Sequence, residues 1–212
     1  MQDLLPAFCV GVSETLVGYP FLTVKVHMQN KLPWKHLKWH EYYRGVKYPL
    51  CNSLTFNMVV FPTHEHTYKY TNNHALSGAL AGIVVTPQAF VIDTLSITRQ
   101  TNQPITKKLL KPKGVLTTLV REMIALGVYF QTYHSARKHT NSFVAGAAAG
   151  LSNWTLSYPI DVVRTRQIAQ RISIPQAVQQ GHFWKGFPIA AARAMVVNAI
   201  SFTVYEQVKN RL

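Results

Sequence analysis

The chain has 212 residues, of which 48% are hydrophobic and only 14% charged, too few charges for an ordinary soluble domain of this length. Twenty-two Lys and Arg against eight Asp and Glu give a formal net charge of +14, which in a soluble protein would suggest nucleic acid, but the apolar segments dwarf any basic stripe and no nucleic-acid partner is expected. A membrane protein is the leading class, and a mean hydropathy of only +0.02 asks for a water-lined interior rather than a bundle that faces lipid alone.

The first apolar run, residues 4–24, is broken only by Glu14 and holds Cys9; the second, 48–63, is uncharged and holds Cys51. Both cysteines read as small packing residues. The third run, 75–92, is uncharged, and the fourth, 114–136, is broken only by Arg121 and Glu122. The fifth, 139–160, is uncharged, and the sixth, 186–205, is broken only by Arg193. The lengths predict an all-α membrane protein with six transmembrane helices. Basic residues crowd the connections after the odd runs: Lys31, Lys35, Lys38 and Arg44; Arg99, Lys107, Lys108, Lys111 and Lys113; Arg166, Arg171 and Lys185. The opposite side has only Lys69, Arg137, Lys138, Lys209 and Arg211. The positive-inside rule therefore places these loops on the inner side and both termini on the other. The opening "MQDLLPAF" contains an acid and no Arg- and Ser-rich run, which argues against a cleaved presequence.

A threefold periodicity underlies the six runs. Pro20, Pro87 and Pro159 fall 67 and 72 residues apart, and Gly45, Gly114 and Gly186 follow them by 25, 27 and 27. Steps of 16 from the glycines reach Phe61, Phe130 and Phe202, and steps of 19 reach His64, Tyr133 and Tyr205. One domain, 1–212, thus comprises three pseudo-threefold repeats at approximately 1–70, 71–139 and 140–212, each a Pro-kinked helix, a short basic loop and a straight helix. A proline inside a helix removes a hydrogen bond and bends the axis, so three such bends could close a funnel. Asp161 and Arg164, three residues apart, share a helical face. In lipid they would cost about 2.5–3.5 kcal/mol each, so they must face the interior. Arg166 and Arg171 read as a helix end emerging into the headgroups.

These patterns resemble the mitochondrial carrier family over nearly the whole chain. Its odd helices carry Pro-x-[Asp/Glu]-x-x-[Lys/Arg]; "YPIDVVRTR" matches with Pro159, Asp161 and Arg164, "YPFLTVKVHMQ" keeps Pro20, Lys25 and Gln29 but has Leu22 at the acidic place, and "TPQAFVID" keeps only Pro87, with Ala89 and Ile92 at the charged places. The family pairs the acid of each odd helix with the base of the next, closing a matrix gate. The resemblance therefore implies Lys25 with Asp161 as an intact pair braced by Gln29, Leu22 with Ile92 as an apolar pair, and Arg164 facing Ala89 without an acid. Joint loss of Leu22 and Ile92's charged counterparts is physically consistent, because removing both partners of a buried pair can be neutral whereas removing one strands a charge.

On even helices the family carries [Phe/Tyr]-[Asp/Glu]-x-x-[Lys/Arg]. "YEQVK" supplies Tyr205, Glu206 and Lys209, "YHSAR" supplies Tyr133 and Arg137 with His134 at the acidic place, and "HEHTY" supplies Glu65 with Tyr68 at the basic place. The implied cytosolic-side gate is Glu65 with Arg137, Tyr68 with Glu206, and a poor His134 to Lys209 contact. "YYRG" and "FWKG" resemble the aromatic-basic-glycine motif that binds cardiolipin at helix starts, and "KPKG" lacks its aromatic, so Gly45, Gly114 and Gly186 mark three expected lipid sites. The proline-to-glycine connections are shorter than the family norm, which reduces the matrix helices to a turn. The third span has nine residues from Gly78 to Pro87 against thirteen from Gly146 to Pro159, as if one turn were lost.

Arg121 and Glu122 follow Gly114 by about 10–12 Å along a helix axis, near mid-membrane, and Arg193 takes the same step after Gly186. The second helix offers Asn52 and Ser53 there, and Glu14 stands six residues before Pro20, with Asn153 at the equivalent step before Pro159. The resemblance makes these substrate contacts. A nearly neutral cavity with guanidinium and carboxylate groups suits a zwitterion, and "LTTLVREMIALGVYFQTY" and "GYPFLTVKVHMQ" are similar to the branch carrying carnitine, acylcarnitine, ornithine and basic amino acids. The expected function is transport of a small metabolite across the mitochondrial inner membrane by alternating access, by a monomer with bound cardiolipin, no cofactor, and both termini toward the intermembrane space. Thinned gates would allow net uniport beside exchange. A nucleotide carrier is one alternative, although the ADP/ATP carrier's Arg-Arg-Arg-Met-Met-Met run is replaced by "RTRQIA"; a degenerate fold acting as receptor or insertion factor is the other. No nucleophile-base motif or phosphate loop suggests an enzyme. Nine histidines invite a metal reading, but His64 and His66 in "THEHTYKY" splay apart on a helix, so loop or pore histidines are expected rather than ligands.

Overall fold

The protein is described by a computed structural model covering residues 4–104, 113–194 and 196–197. Among the described residues all regular structure is helical: α1 (Leu4–Gln29), α2 (Lys47–Thr71), α3 (His74–Gln100), α4 (Val115–Arg137), α5 (Ser142–Gln170), the short α6 (Ile174–Gln179) and a further helical run, α7, over 187–194. Asparagines start two of the long helices. Asn73 accepts from the Leu76 N–H at 3.1 Å and Asn141 from the Val144 N–H at 2.9 Å, each satisfying an orphan donor of the first turn.

Pro20, Pro87 and Pro159 lie inside α1, α3 and α5. Beyond these bends the three helices converge on one apolar plug, Val26 from α1, Ile97 from α3, and Ile168 and Ala169 from α5. α2 also holds a proline, Pro62, within its length. Thirteen residues separate the start of α3 from its proline and seventeen separate the start of α5 from its own, so α3 is about one turn shorter on that side. Between α1 and α2 the loop helix is a single 3-10 turn, Trp39–Tyr43, where the Glu41 carboxylate accepts the Lys38 N–H at 2.8 Å, which holds its pKa below the usual range. Between α5 and α7 it is the six-residue α6.

Gly45, Gly114 and Gly186 share one backbone conformation, with φ of 88°, 98° and 90°, a region that side chains resist. In the first and last hairpins a tyrosine beside the kink reaches across to the residue before that glycine. The Tyr19 hydroxyl donates to the Arg44 carbonyl at 2.7 Å and the Tyr158 hydroxyl to the Lys185 carbonyl at 3.2 Å. The middle hairpin has Thr86 there, whose hydroxyl stays on its own helix, donating to the Gly82 carbonyl.

Side chains are distributed inside out relative to a water-soluble bundle. Leu76, Ile83, Val84 and Val91 of α3, Leu116 of α4 and Leu151 and Leu156 of α5 are exposed, whereas Lys25, Gln29, Glu122, Asp161, Arg164 and Arg166 are buried. Among the described residues α3 is the one helix long, apolar and charge-poor enough to cross a membrane by length and composition; α4 and α5 carry inward polar groups such as Glu122, Asp161 and Arg164. Small residues let α3 and α4 meet backbone to backbone, since a Cβ added to Gly82 would sit 2.7 Å from the Glu122 backbone. Val60, Ala81, Val85, Leu126 and Phe130 then close the α2–α3–α4 core.

Two expectations fail here. Arg166 does not emerge into headgroups: it is fully buried, its Nε donating to the Gln29 carbonyl at 3.1 Å and its Nη1 to the carbonyls of Ala177 and Gly181 at 3.1 and 2.7 Å. It is buried because the chain folds α6 back beneath it, supplying carbonyls that replace its water. Cys51 is a free thiol on an exposed face rather than a packing residue.

Candidate functional site

A cavity of about 280 Å³ opens between α1, α2, α3, α4, α5 and α7 above the apolar plug. Four cations and three acids line it: Lys25, Arg121, Arg164 and Arg193, with Asp93, Glu122 and Asp161. Leu22, Asn52, Ala89, Ile92 and Trp154 complete the parts of the wall that matter below.

The floor is an ion network. Lys25 Nζ stands 2.6 Å from Asp161 Oδ2, joining α1 to α5 with both side chains almost fully buried. Gln29 Nε2 donates to the same oxygen at 3.3 Å and to the Tyr158 hydroxyl at 3.3 Å, so the glutamine sits one turn beyond Lys25 as a clasp. Leu22 and Ile92 line the same floor as apolar wall. Arg164 is not left without an acid, as its register opposite Ala89 suggested. Its Nη2 lies 2.9 Å from Asp93 Oδ2, its Nη1 3.4 Å from Glu122 Oε1, and Asp161 Oδ1 is 3.5 Å away. Asp93 stands one turn past Ala89 on α3, and the long guanidinium stem bridges that offset. Asp93 is the residue that sequence reasoning missed. Its signal was present, because it is the single acid in α3.

Arg121 and Glu122 are paired side by side at 2.5 Å, with Glu122 1% exposed. Trp154 stacks beneath two cations at once, its ring centroid 4.9 Å from Lys25 Nζ and 5.8 Å from the Arg121 guanidinium, a cation–π platform at the centre of the wall. Asn52 accepts from Gln88 Nε2 at 3.1 Å. Arg193 enters from α7 across Gly18, whose missing side chain makes the room: a Cβ there would lie 2.8 Å from Arg193 Nε. That Nε is buried and has no hydrogen-bond partner among the described residues, while Glu14 acts on the guanidinium electrostatically from α1. Glu14 itself does not line the cavity. The side chain of Ser53 lies outside the described residues.

At the opposite end, Glu65 and Arg137 are both exposed and form no ion pair with each other among the described residues; Arg137 donates instead to the Thr140 carbonyl at 3.1 Å. Tyr68 stacks on His74 at 4.0 Å between ring centroids. Tyr205, Glu206 and Lys209 lie outside the described residues.

Residues 135–212 match the family model described as mitochondrial carrier protein. The mitochondrial arginine transporter BAC2 of Arabidopsis thaliana is 25% identical, with 92% of this chain and 86% of that protein aligned. The mitochondrial basic amino acids transporter of Bos taurus is 27% identical over 94% of this chain and 88% of its own length. The chain is similar to mitochondrial carriers over most of its length. The glutamate/glycine mitochondrial carrier ymc1 of Schizosaccharomyces pombe, 25% identical, aligns with all of this chain over 285 positions. The surplus over 212 residues means that this alignment opens gaps within the chain, in keeping with the single turn at Trp39–Tyr43 and the six-residue α6.

Proposed function

We propose that the protein moves a small zwitterion, an amino acid with basic side chains as the leading class and a carnitine-like molecule as the second, across the mitochondrial inner membrane by alternating access. The carrying observation is the half-buried Arg193, whose Nε is buried with no hydrogen-bond partner among the described residues, lining a cavity that also holds three carboxylates. A substrate carboxylate would take Arg193 and Arg121 as bidentate donors, and its ammonium would take Asp93 or Glu122. The relatives named for arginine, basic amino acids and glutamate or glycine support the same class.

The conformation favours a gating reading. Lys25 with Asp161 and Arg164 with Asp93 close the end where the odd helices converge, while Glu65 and Arg137 stand apart at the other. Binding would offset the cost of opening the first network, and pairing Glu65 with Arg137 would stabilise the alternate state. Six spanning helices in three repeats, termini toward the intermembrane space, monomeric operation and cardiolipin at the helix starts marked by Gly45, Gly114 and Gly186 belong to this reading. The exposed apolar faces of α3, α4 and α5 support the membrane setting.

Uptake of labelled arginine, lysine, glutamate, carnitine and ATP into liposomes carrying the purified protein tests it. Uptake of an amino acid or carnitine, lost when Arg121, Glu122 and Arg193 are all replaced by alanine, is expected. Uptake of ATP alone would favour a nucleotide carrier. No uptake of any of them would leave the receptor or insertion-factor reading.

A further inference from the structure

Three imidazoles from three helices meet at the end of the molecule opposite the Lys25–Asp161 pair. His64 of α2, His74 at the start of α3 and His134 of α4 each offer a nitrogen, and those nitrogens all lie within 4.8 Å of one another. His64 is 4% exposed. Its Nε2 and the Nδ1 of His74 are buried with no hydrogen-bond partner among the described residues, a costly condition for polar atoms unless something else completes them.

We propose that His64, His74 and His134 form a binding site for one divalent transition-metal ion, zinc first. Three neutral imidazoles with an open fourth position are a common zinc donor set, and copper(II), nickel(II) and cobalt(II) accept the same ligands. Magnesium and calcium require oxygen donors and do not fit. In the structure the rings are stacked, His74 on His134 at 3.6 Å between centroids and His64 on Phe130 at 3.7 Å. Zinc at about 2.0 Å from each nitrogen needs donors about 3.3 Å apart with their in-plane lone pairs converging, so the stacked rings must rotate out of their parallel arrangement to close on the ion. Lys138, exposed beyond α4, lies within electrostatic range of His74 and is screened by solvent. The ion would pin α2, α3 and α4 together at this mouth, a restraint that exists whether or not the cavity transports anything.

Purified protein is titrated with cobalt(II) chloride, followed by its visible absorption, and with zinc chloride by calorimetry. One equivalent binding with the intense bands of a low-coordinate cobalt centre is expected. His134→Phe keeps an aromatic ring in the stack but removes the donor, and should weaken binding by at least about tenfold while the protein melts at an unchanged temperature. His66→Asn and His182→Asn should leave binding as it was, and magnesium chloride should produce no signal. Equal binding by the wild type and His134→Phe, or wild-type binding no tighter than that of a variant lacking all three histidines, overturns the proposal.

Discussion

Asp93 Oδ2 and Arg164 Nη2 stand 2.9 Å apart, joining α3 to α5 where the aligned register offered only Ala89. Asp93→Asn leaves Arg164 with Glu122 and Asp161, and the Asp93 side chain is 32% exposed, so the expected loss is modest, about 1–2 kcal/mol. Thermal melting reads this directly. The same variant should raise uptake into liposomes without internal counter-substrate relative to exchange, because one of two ionic links holding this end shut is gone.

The Lys25–Asp161 pair is buried on both sides, and breaking it from one side should cost far more. Lys25→Met alone strands the Asp161 carboxylate and is expected to destabilise by about 3–5 kcal/mol, whereas Lys25→Met combined with Asp161→Leu should recover most of that loss. A double-mutant cycle on melting temperatures measures the recovery. Leu22 and Ile92 already line this floor without charge.

Gly18→Ala places a methyl group 2.8 Å from Arg193 Nε, a flexible end that can move aside, and 3.0 Å from Val197 Cγ2, which must give by a few tenths of an ångström. Stability should change little, while the guanidinium shifts in the cavity. Substrate KM is expected to rise roughly tenfold, the equivalent of about 1.4 kcal/mol, with melting temperature held; initial-rate uptake separates the two.

Tyr19→Phe and Tyr158→Phe each delete a hydroxyl that reaches the carbonyl before a helix-starting glycine. Each should cost about 1 kcal/mol. Similar losses from both, read by chemical or thermal denaturation, would mark the two positions as equivalent; a loss at only one would separate them.

What could be read from sequence was whatever lay at fixed spacing from a proline or glycine. Lys25, Gln29 and Asp161 follow their prolines by set steps, and the structure brings all three into contact. Asp93 escaped because matching went place by place along a motif, and its carboxylate sits one residue beyond the basic place; counting the lone acid in an apolar span would have found it. The histidine cluster was hidden for another reason. His64 has a sequence neighbour, His66, that points elsewhere, while its true neighbours are ten and seventy residues away on other helices. Arg166 was misread because the carbonyls that bury it come from α6, whose path the local sequence does not declare.

The tyrosine tethers divide the three hairpins unequally. In the outer two, the bend beside Pro20 or Pro159 is leashed through Tyr19 or Tyr158 to the carbonyl just ahead of Gly45 or Gly186, so straightening the bend must pull on the loop that leads into the next helix. Between α3 and α4 no such leash occurs among the described residues, and Thr86 donates to the Gly82 carbonyl of its own helix. Coupling in this molecule is therefore uneven: the outer two hairpins join bend to loop through a tyrosine hydroxyl, whereas the middle one joins helix to helix through closely apposed backbones.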